Sequence, residues 1–480
     1  MIYINSCILT LLFVSPVFFG VFLKKKKLLN TETMCYLILL SGLLLRLIYI
    51  SYTSVETRQH DVHTFFQNNG GHSEYILYLF DHRALPDFDP REIWQFYHPP
   101  LHHIICALWL TAVDLIGLDY RTVGVPSLHF LTVGYSFLFS VFAYKTLKRF
   151  DLSDKMLPVC TALATFHPTL ILLAGSVNND ILSAMFGMMA VYYAVKWSQD
   201  RKWSSIILTA FSVGLGMMTK LTVGLLAPAI AALFLTVFIK NIKEWKKSVL
   251  QFVVFGVICI PLGLAWSIRN LIKFDMPVNY VPLLDTTVGQ YIDKSAFERI
   301  IDFRPYQIAS PFTQWAWSGH PYNEFNPIIA LFKNAMFDEG TFFERSITLQ
   351  FFCTALFFVN IIISLFAVAG LVLMLWKNKN IKLELKLIVG IITAVIFGNY
   401  IIFCINYPFV CTQNMRYCVP LIFVNALAVG KYTEYAQEHS EKKYLLKSSD
   451  ILKKCSYVFC LLSAFVYTAM SFYEIWRTTL

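Results

Sequence analysis

Apolar stretches of about 20 residues recur from one end of the chain to the other, each long enough to cross a bilayer core. Nothing else constrains the fold as strongly. A soluble globule cannot bury so much apolar length, because its surface has to carry charge, usually about a quarter of its residues. Here 15% of 480 residues are charged and 57% are hydrophobic. The expected fold is therefore an all-α polytopic membrane protein. Soluble enzymes, nucleic-acid binders and disulfide-stapled scaffolds are excluded. The eleven Cys form no CxxC pairs and lie mostly within apolar stretches; Cys404, Cys411 and Cys418 read as small packing residues rather than zinc ligands.

The net charge of +10 matters through its placement. Basic residues gather between apolar stretches, as the positive-inside rule requires. Residues 2–23 have no basic residue before them and Lys24, Lys25, Lys26 and Lys27 after them, the reverse of a signal peptide. A retained span with its N-terminus outside follows. Further cytoplasmic groups are Lys145/Lys148/Arg149/Lys155, Lys196/Arg201/Lys202, Lys240/Lys243/Lys246/Lys247, Lys377/Lys379/Lys382/Lys386 and the tail from Lys431 to Lys454. They fit alternate connections of about 12 spans, at 2–23, 33–54, 125–144, 156–174, 181–195, 203–218, 221–239, 249–266, 347–376, 387–406, 419–430 and 457–473. Residues 101–118, broken by His102, His103 and Asp114, would invert every later cluster if they crossed. They are expected as a juxtamembrane or re-entrant helix in a large external loop at 55–121. A second external loop covers 269–345. Residues 1–32 then form an extra helix and basic loop before a membrane domain at 33–480.

Seven of the eleven His lie between His60 and His103, in the first external loop. Such clustering suits a metal site or a polar pocket for phosphate and sugar, and a solvated loop is the plain alternative. No HExxH pattern supports a zinc enzyme; a metal, if bound, would fall to Asp61, His60 and His63. Asp61 stands just past the second span, where partial desolvation would raise its pKa toward that of a general base. Arg58, His60, Glu74, Tyr97 and His98 share the loop. Asn179 and Asp180 open a later span, and Lys220, Arg269 and Arg416 map to the same external side. Arg46 lies inside the second span. Charged groups at such depths are functional candidates unless they snorkel to the headgroups. Basic side chains beside a carboxylate at headgroup level suit a lipid phosphate.

Seven segments in order then resemble the C-type (GT-C) membrane glycosyltransferases, in particular the dolichyl-phosphate-mannose protein mannosyltransferase and aminoarabinose transferase superfamily. They are Asp61 in the first loop; Tyr97-His98-Pro99-Pro100-Leu101; Arg121 through Pro126-Ser127; Ser176-Val177-Asn178-Asn179-Asp180; Gly216 through Thr219-Lys220; Trp266-Ser267-Ile268-Arg269-Asn270 with Pro277 beyond; and Arg416-Tyr417-Cys418-Val419-Pro420. The resemblance covers about residues 33 to 430. It implies an inverting transfer of one sugar from a polyprenyl-phosphate carrier to an acceptor hydroxyl at the external face.

In that family the first-loop acid is the general base, a role that maps onto Asp61. Lys220, Arg269, Arg416, His102 and His103 would bind the donor phosphate. The family often has two adjacent acids at this point, whereas His60 precedes Asp61 here and Val62 follows, leaving the partner to Glu74 or His60. No redox cofactor is required and a divalent metal is optional. Trp315, Trp317, His320 and Tyr322 in the second loop are candidates for the acceptor side or for an interfacial aromatic belt. The competing class is a transporter or flippase of a lipid-linked saccharide, which would show a polar path through the membrane. The expected location is a bacterial plasma membrane, since Thr478-Thr479-Leu480 carries no retention signal.

Overall fold

The computed structural model describes residues 2–315, 323–339 and 347–478, with side chains described between residues 7 and 472. Trp317, His320 and Tyr322 lie outside the described residues. The described chain is helical, with one isolated antiparallel bridge between Tyr291 and Phe409.

Helix α1 (Ile2–Lys25) ends in the first lysine group, and α2 (Thr31–Ser51) starts on the cap of Asn30, whose side chain accepts from Thr33 N at 2.8 Å. The first large loop carries α3 (Gly71–His82) and α4 (Leu101–Leu115). The chain then runs through α5 (Val125–Leu147), the pair α6 (Met156–Thr165) and α7 (Pro168–Ala174), α8 (Asp180–Asp200), α9 (Trp203–Met217), α10 (Ala227–Lys240) and α11 (Trp245–Phe274). The second large loop holds, among the described residues, the short helices α12 (Ala296–Ile301), α13 (Pro305–Ala309) and α14 (Pro327–Phe337). Last come α15 (Ile347–Trp376), α16 (Leu383–Asn406), α17 (Pro420–Glu438) and α18 (Lys443–Thr478).

The all-helical, multi-pass membrane architecture is as expected. By length and apolarity, eight helices among the described residues can cross a membrane, or nine if α6 and α7, bent by 43° at His167-Pro168, count as one span. Helices α8, α9 and α17 coincide with expected spans but fall short of that standard. They are short or carry polar faces, and their residues are largely buried, α8 beside α5 and α9 and α17 beside α15. A helix shielded by its neighbours does not need a lipid-facing sequence. The expected number of about twelve spans is therefore not reached on this measure.

Two sets of helix ends converge. Lys148 pairs with Glu32, Lys240 Nζ lies 2.5 Å from Glu384 Oε2, and Lys431 Nζ lies 3.3 Å from Asp151 O and 2.8 Å from Glu434 Oε2. These join the lysine-rich ends. The opposite ends carry both large loops.

Helix α4, at 15 residues or roughly 22 Å, is shorter than a bilayer core. It packs on α3, and the loop builds its own core from Val62, Phe65, Tyr75, Phe96, Cys106, Leu110 and their neighbours, apart from the main bundle core. The second loop is fixed by fully buried polar groups. Lys333 Nζ meets Glu324 Oε2 at 2.6 Å, and Arg299 donates to Phe325 O at 3.1 Å and Gln413 Oε1 at 3.0 Å. Arg46 does not snorkel. It is fully buried, donating to Ser136 Oγ at 2.7 Å, Ser140 Oγ at 3.0 Å and Gly42 O at 2.8 Å, and so ties α2 to α5. Its role is structural.

Candidate functional site

Five segments far apart in sequence meet at the loop-bearing end: residues 59–61, 178–180, 219–220, 338–339 and 414–417. Local geometry presents each. Gly71 has φ +89°, and a Cβ there would stand 2.6 Å from Val62 O. Only glycine allows the close approach by which His72 N donates to Asp61 O at 2.9 Å and Ser73 N to Val62 O at 3.0 Å. Asp61 itself has φ +57°, a left-handed conformation that Asp tolerates better than most residues and that is held here by the α3 start. Gln59 Nε2 donates to Gly175 O at 2.6 Å and its Oε1 accepts from Val177 N at 2.9 Å, docking the first loop on the start of α8. Asn179 Nδ2 donates to Thr219 O at 3.2 Å, which brings Lys220 alongside.

The charged groups form a chain. Arg416 Nη1 lies 3.3 Å from Asp61 Oδ2 and 3.6 Å from Asp180 Oδ2, and Asp180 also pairs with Lys220. The Tyr417 ring lies under both cations, 5.1 Å from Lys220 Nζ and 5.1 Å from the Arg416 guanidinium carbon. On the other side His60 Nε2 stands 2.6 Å from Asp338 Oδ2, and His60 Nδ1 stands 3.9 Å from Glu339 Oε2. Asn414 Nδ2 reaches both carboxylates at 2.7 Å. Among these acids Asp61 is the most open, with 34% of its side chain exposed against 19% for Asp338, 12% for Glu339 and 3% for Asp180.

The expected raised pKa of Asp61 is corrected. Burial pushes the carboxyl up, but the Arg416 guanidinium and His60 outweigh it, so it lies below the usual carboxylate range and is ionised. The neighbours reverse the sign that membrane-surface desolvation alone suggested. His60 is held up at about 9: burial lowers it, and Asp338 and Glu339 more than reverse that.

Of the expected phosphate ligands, the structure brings together Lys220 and Arg416. Arg269 is elsewhere, donating to Pro86 O and to Asn270 Oδ1 at 2.7 Å, 3.8 Å from Asp87 Oδ1, and stacked 4.7 Å from the Trp266 ring. His102 and His103 are fully buried in a stack with His72, His98 and Tyr75; His72 Nδ1 and His103 Nε2 are 2.8 Å apart. Burial holds His98 at about 3 and His102 at about 4, so both imidazoles are neutral; His98 is half-buried and within electrostatic reach of Lys220, Asp180, Asp61 and Arg416. Glu74 is turned away, accepting from Gly70 N at the start of α3, and is not the acid's partner. Arg58 donates to Tyr52 O at 3.0 Å and covers the end of α2. Tyr97 packs on His98 and Tyr280, with its carbonyl 3.3 Å from Trp266 Nε1.

The metal set expected from Asp61, His60 and His63 is also replaced. His63 Nδ1 turns to Asn69 O at 2.9 Å, and Asp61 goes to Arg416. Among the described residues the group that could hold an ion is His60, Asp338 and Glu339, whose ligand atoms lie within 4.8 Å of one another. Sequence reading missed Asp338 and Glu339. Their only signal was an adjacent acidic pair directly after the apolar α14.

Fold and site together define a polytopic membrane protein with one charged centre at the mouth of its helix bundle. Residues 98–266 match the family described as dolichyl-phosphate-mannose-protein mannosyltransferase, which bears out the resemblance to that class of membrane glycosyltransferase. The match runs from His98 through Asp180 and Lys220 to Trp266, and stops short of Asp61, Asp338 and Arg416 on either side. Among solved structures, ArnT from Cupriavidus metallidurans bound to undecaprenyl phosphate is 13% identical, covers 85% of this chain and 80% of its own, and has a TM-score of 0.37. The S. cerevisiae protein O-mannosyltransferase Pmt1-Pmt2 complex bound to the sugar donor is 14% identical, covering 58% of this chain and 37% of its own, with a TM-score of 0.37. No curated protein gave a significant match.

Proposed function

We propose that the protein transfers a sugar, with inversion, from a polyprenyl-phosphate carrier to an acceptor hydroxyl at the external face of a bacterial plasma membrane. The observation that carries this reading is the partly exposed, ionised Asp61 linked through Arg416 to Asp180 and Lys220. A general base has to be ionised and reachable, and Asp61 is both. The acceptor oxygen attacks the anomeric carbon while its proton passes to Asp61. The anomeric C–O bond to phosphate breaks, and its electron pair leaves with the lipid phosphate.

Lys220 and Arg416 receive that growing charge. Fixed cations at a desolvated site stabilise a departing phosphate without reorganising. The apolar faces of the spans hold the prenyl chain, and the chemistry requires no redox cofactor.

Asp61→Asn tests the reading with purified protein and a polyprenyl-phosphate sugar. General-base loss predicts transfer lowered by about 10²–10⁴-fold with folding intact. Transfer near the parent rate would remove Asp61 from the role.

A further inference from the structure

We propose that the cleft between α2 and α5 at the lysine-rich end binds one anionic glycerophospholipid, at a site apart from the charged centre and independent of its chemistry.

The face of α5 that lines the cleft changes character along its length. Phe137, Val141 and Tyr144 come first, then Lys145 and Lys148, at a spacing that keeps them on one side of the helix. From Phe137 to Lys148 the chain rises roughly 16 Å, half of a ~30 Å hydrocarbon core and so the depth of one leaflet. Tyr36 and Leu40 of α2 form the facing wall and are 56% and 44% exposed, so the cleft opens outward from the bundle rather than into it. The Tyr36 and Tyr144 rings meet edge to face at 5.9 Å and join the two walls. The cleft measures about 320 Å³, the small end of the ~300–1,000 Å³ range for ligand sites. That size suits one slender acyl chain.

The charge at the mouth selects the headgroup. The lining carries two lysines and no acid. Lys148 pairs with the exposed Glu32. Among the described residues no carboxylate pairs with Lys145, whose Nζ lies 5.4 Å from the Phe142 ring and 5.9 Å from the Tyr192 ring. An exposed ammonium without a counter-charge, next to a second lysine, suits a lipid phosphodiester, and basic clefts between membrane helices are a recurrent headgroup site. A zwitterionic headgroup brings a cation of its own and gains less. Snorkelling explains lysines at this depth, but it does not explain an apolar cleft of one leaflet's depth leading up to them.

The test uses the full chain in detergent and a phosphatidylglycerol with a diazirine on its acyl chain. After irradiation, cross-links are expected on peptides covering 36–40 and 137–148. Unlabelled phosphatidylglycerol should displace the probe, and phosphatidylcholine with the same chains should compete about 10-fold less well. Lys145→Gln should lower affinity about 5-fold, and Lys145→Gln with Lys148→Gln about 25-fold. Both lysines are exposed, so folding should hold. Leu40→Trp fills the cleft without altering charge and should lower labelling as well. Lys220→Ala, at the loop-bearing end, should leave it unchanged. Cross-links confined to other segments, equal competition by phosphatidylcholine, or parent affinity in the double lysine variant or in Leu40→Trp would each overturn the site. Loss with Lys220→Ala would put the lipid in the charged centre and overturn it too.

Discussion

Arg416 Nη1 lies 3.3 Å from Asp61 Oδ2, joining a residue just before α17 to one just after α2. The guanidinium is 8% exposed, so this is a contact made largely out of water. Because Arg416 also reaches Asp180, it sets where the base points as well as its charge. Replacing Arg416 with Ala leaves the partly exposed Asp61 unpaired and Asp180 with Lys220 alone, and should cost about 1–3 kcal/mol of stability. Arg416→Lys should recover part of that stability but not the two-sided contact, so transfer should remain at least 10-fold below the parent. Thermal unfolding in detergent and a transfer assay, run on both variants, check this. Parent-level transfer by Arg416→Lys would show that a point charge suffices.

Lys220 makes a cleaner probe of the leaving group. Its partner Asp180 keeps Arg416 when Lys220 is removed, so the fold is less threatened. Lys220→Ala should raise the donor KM or lower kcat by about 10²-fold, with the acceptor KM little changed. Equal loss toward donor and acceptor would argue against a phosphate contact.

The multi-pass helical fold was legible because bilayer thickness acts locally, segment by segment. Residues 101–118 were read as a juxtamembrane or re-entrant loop helix from lysine placement, and α4 is 15 residues long and packs on α3. The site was half legible. Asp61, Asp180, Lys220 and Arg416 stand in segments whose polarity is anomalous for their position, which is a local signal. Arg269 has the same local signal and yet is turned to Pro86 and Asp87, because pairing is a tertiary event. The sign of the Asp61 shift was illegible for the same reason: it depends on Arg416, 355 residues away in sequence. The His-rich first loop suggested solvent-facing ligands, but packing of α3 on α4 buries His72, His102 and His103, with His72 stacked on His103 and on the half-buried His98 and with His102 edge-on.

That stack makes the first loop acid-sensitive. His98 and His102 are held at about 3 and about 4, below the unfolded value near 6.5. Between those limits the unfolded chain binds more protons than the folded one, so stability rises with pH and is lost as pH falls below about 6.5. At pH 5 each of the two imidazoles contributes about 2 kcal/mol of destabilisation. Hydrogen exchange at amides of α3 and α4 should therefore accelerate between pH 7 and pH 5, after correction for intrinsic rates, while α15 amides stay protected. Unchanged protection in α3 and α4 would mean that the loop relaxes to solvate the rings.

Glu324 and Lys333 form an ion pair in the second loop with both side chains fully buried, 2.6 Å apart. Burial of two charges is offset by their attraction only when both are present. Glu324→Gln alone should therefore destabilise by about 3–5 kcal/mol, since it strands the Lys333 ammonium, and Lys333→Met alone should strand the Glu324 carboxylate at similar cost. The double variant Glu324→Leu, Lys333→Met removes both charges and should restore stability to within about 1 kcal/mol of the parent. A thermal double-mutant cycle in detergent measures the coupling. Additive losses in the double variant would show that the pair fixes the loop through directed hydrogen bonds that apolar packing cannot replace. Transfer activity should follow stability here, because the pair holds α14, and α14 ends at Asp338.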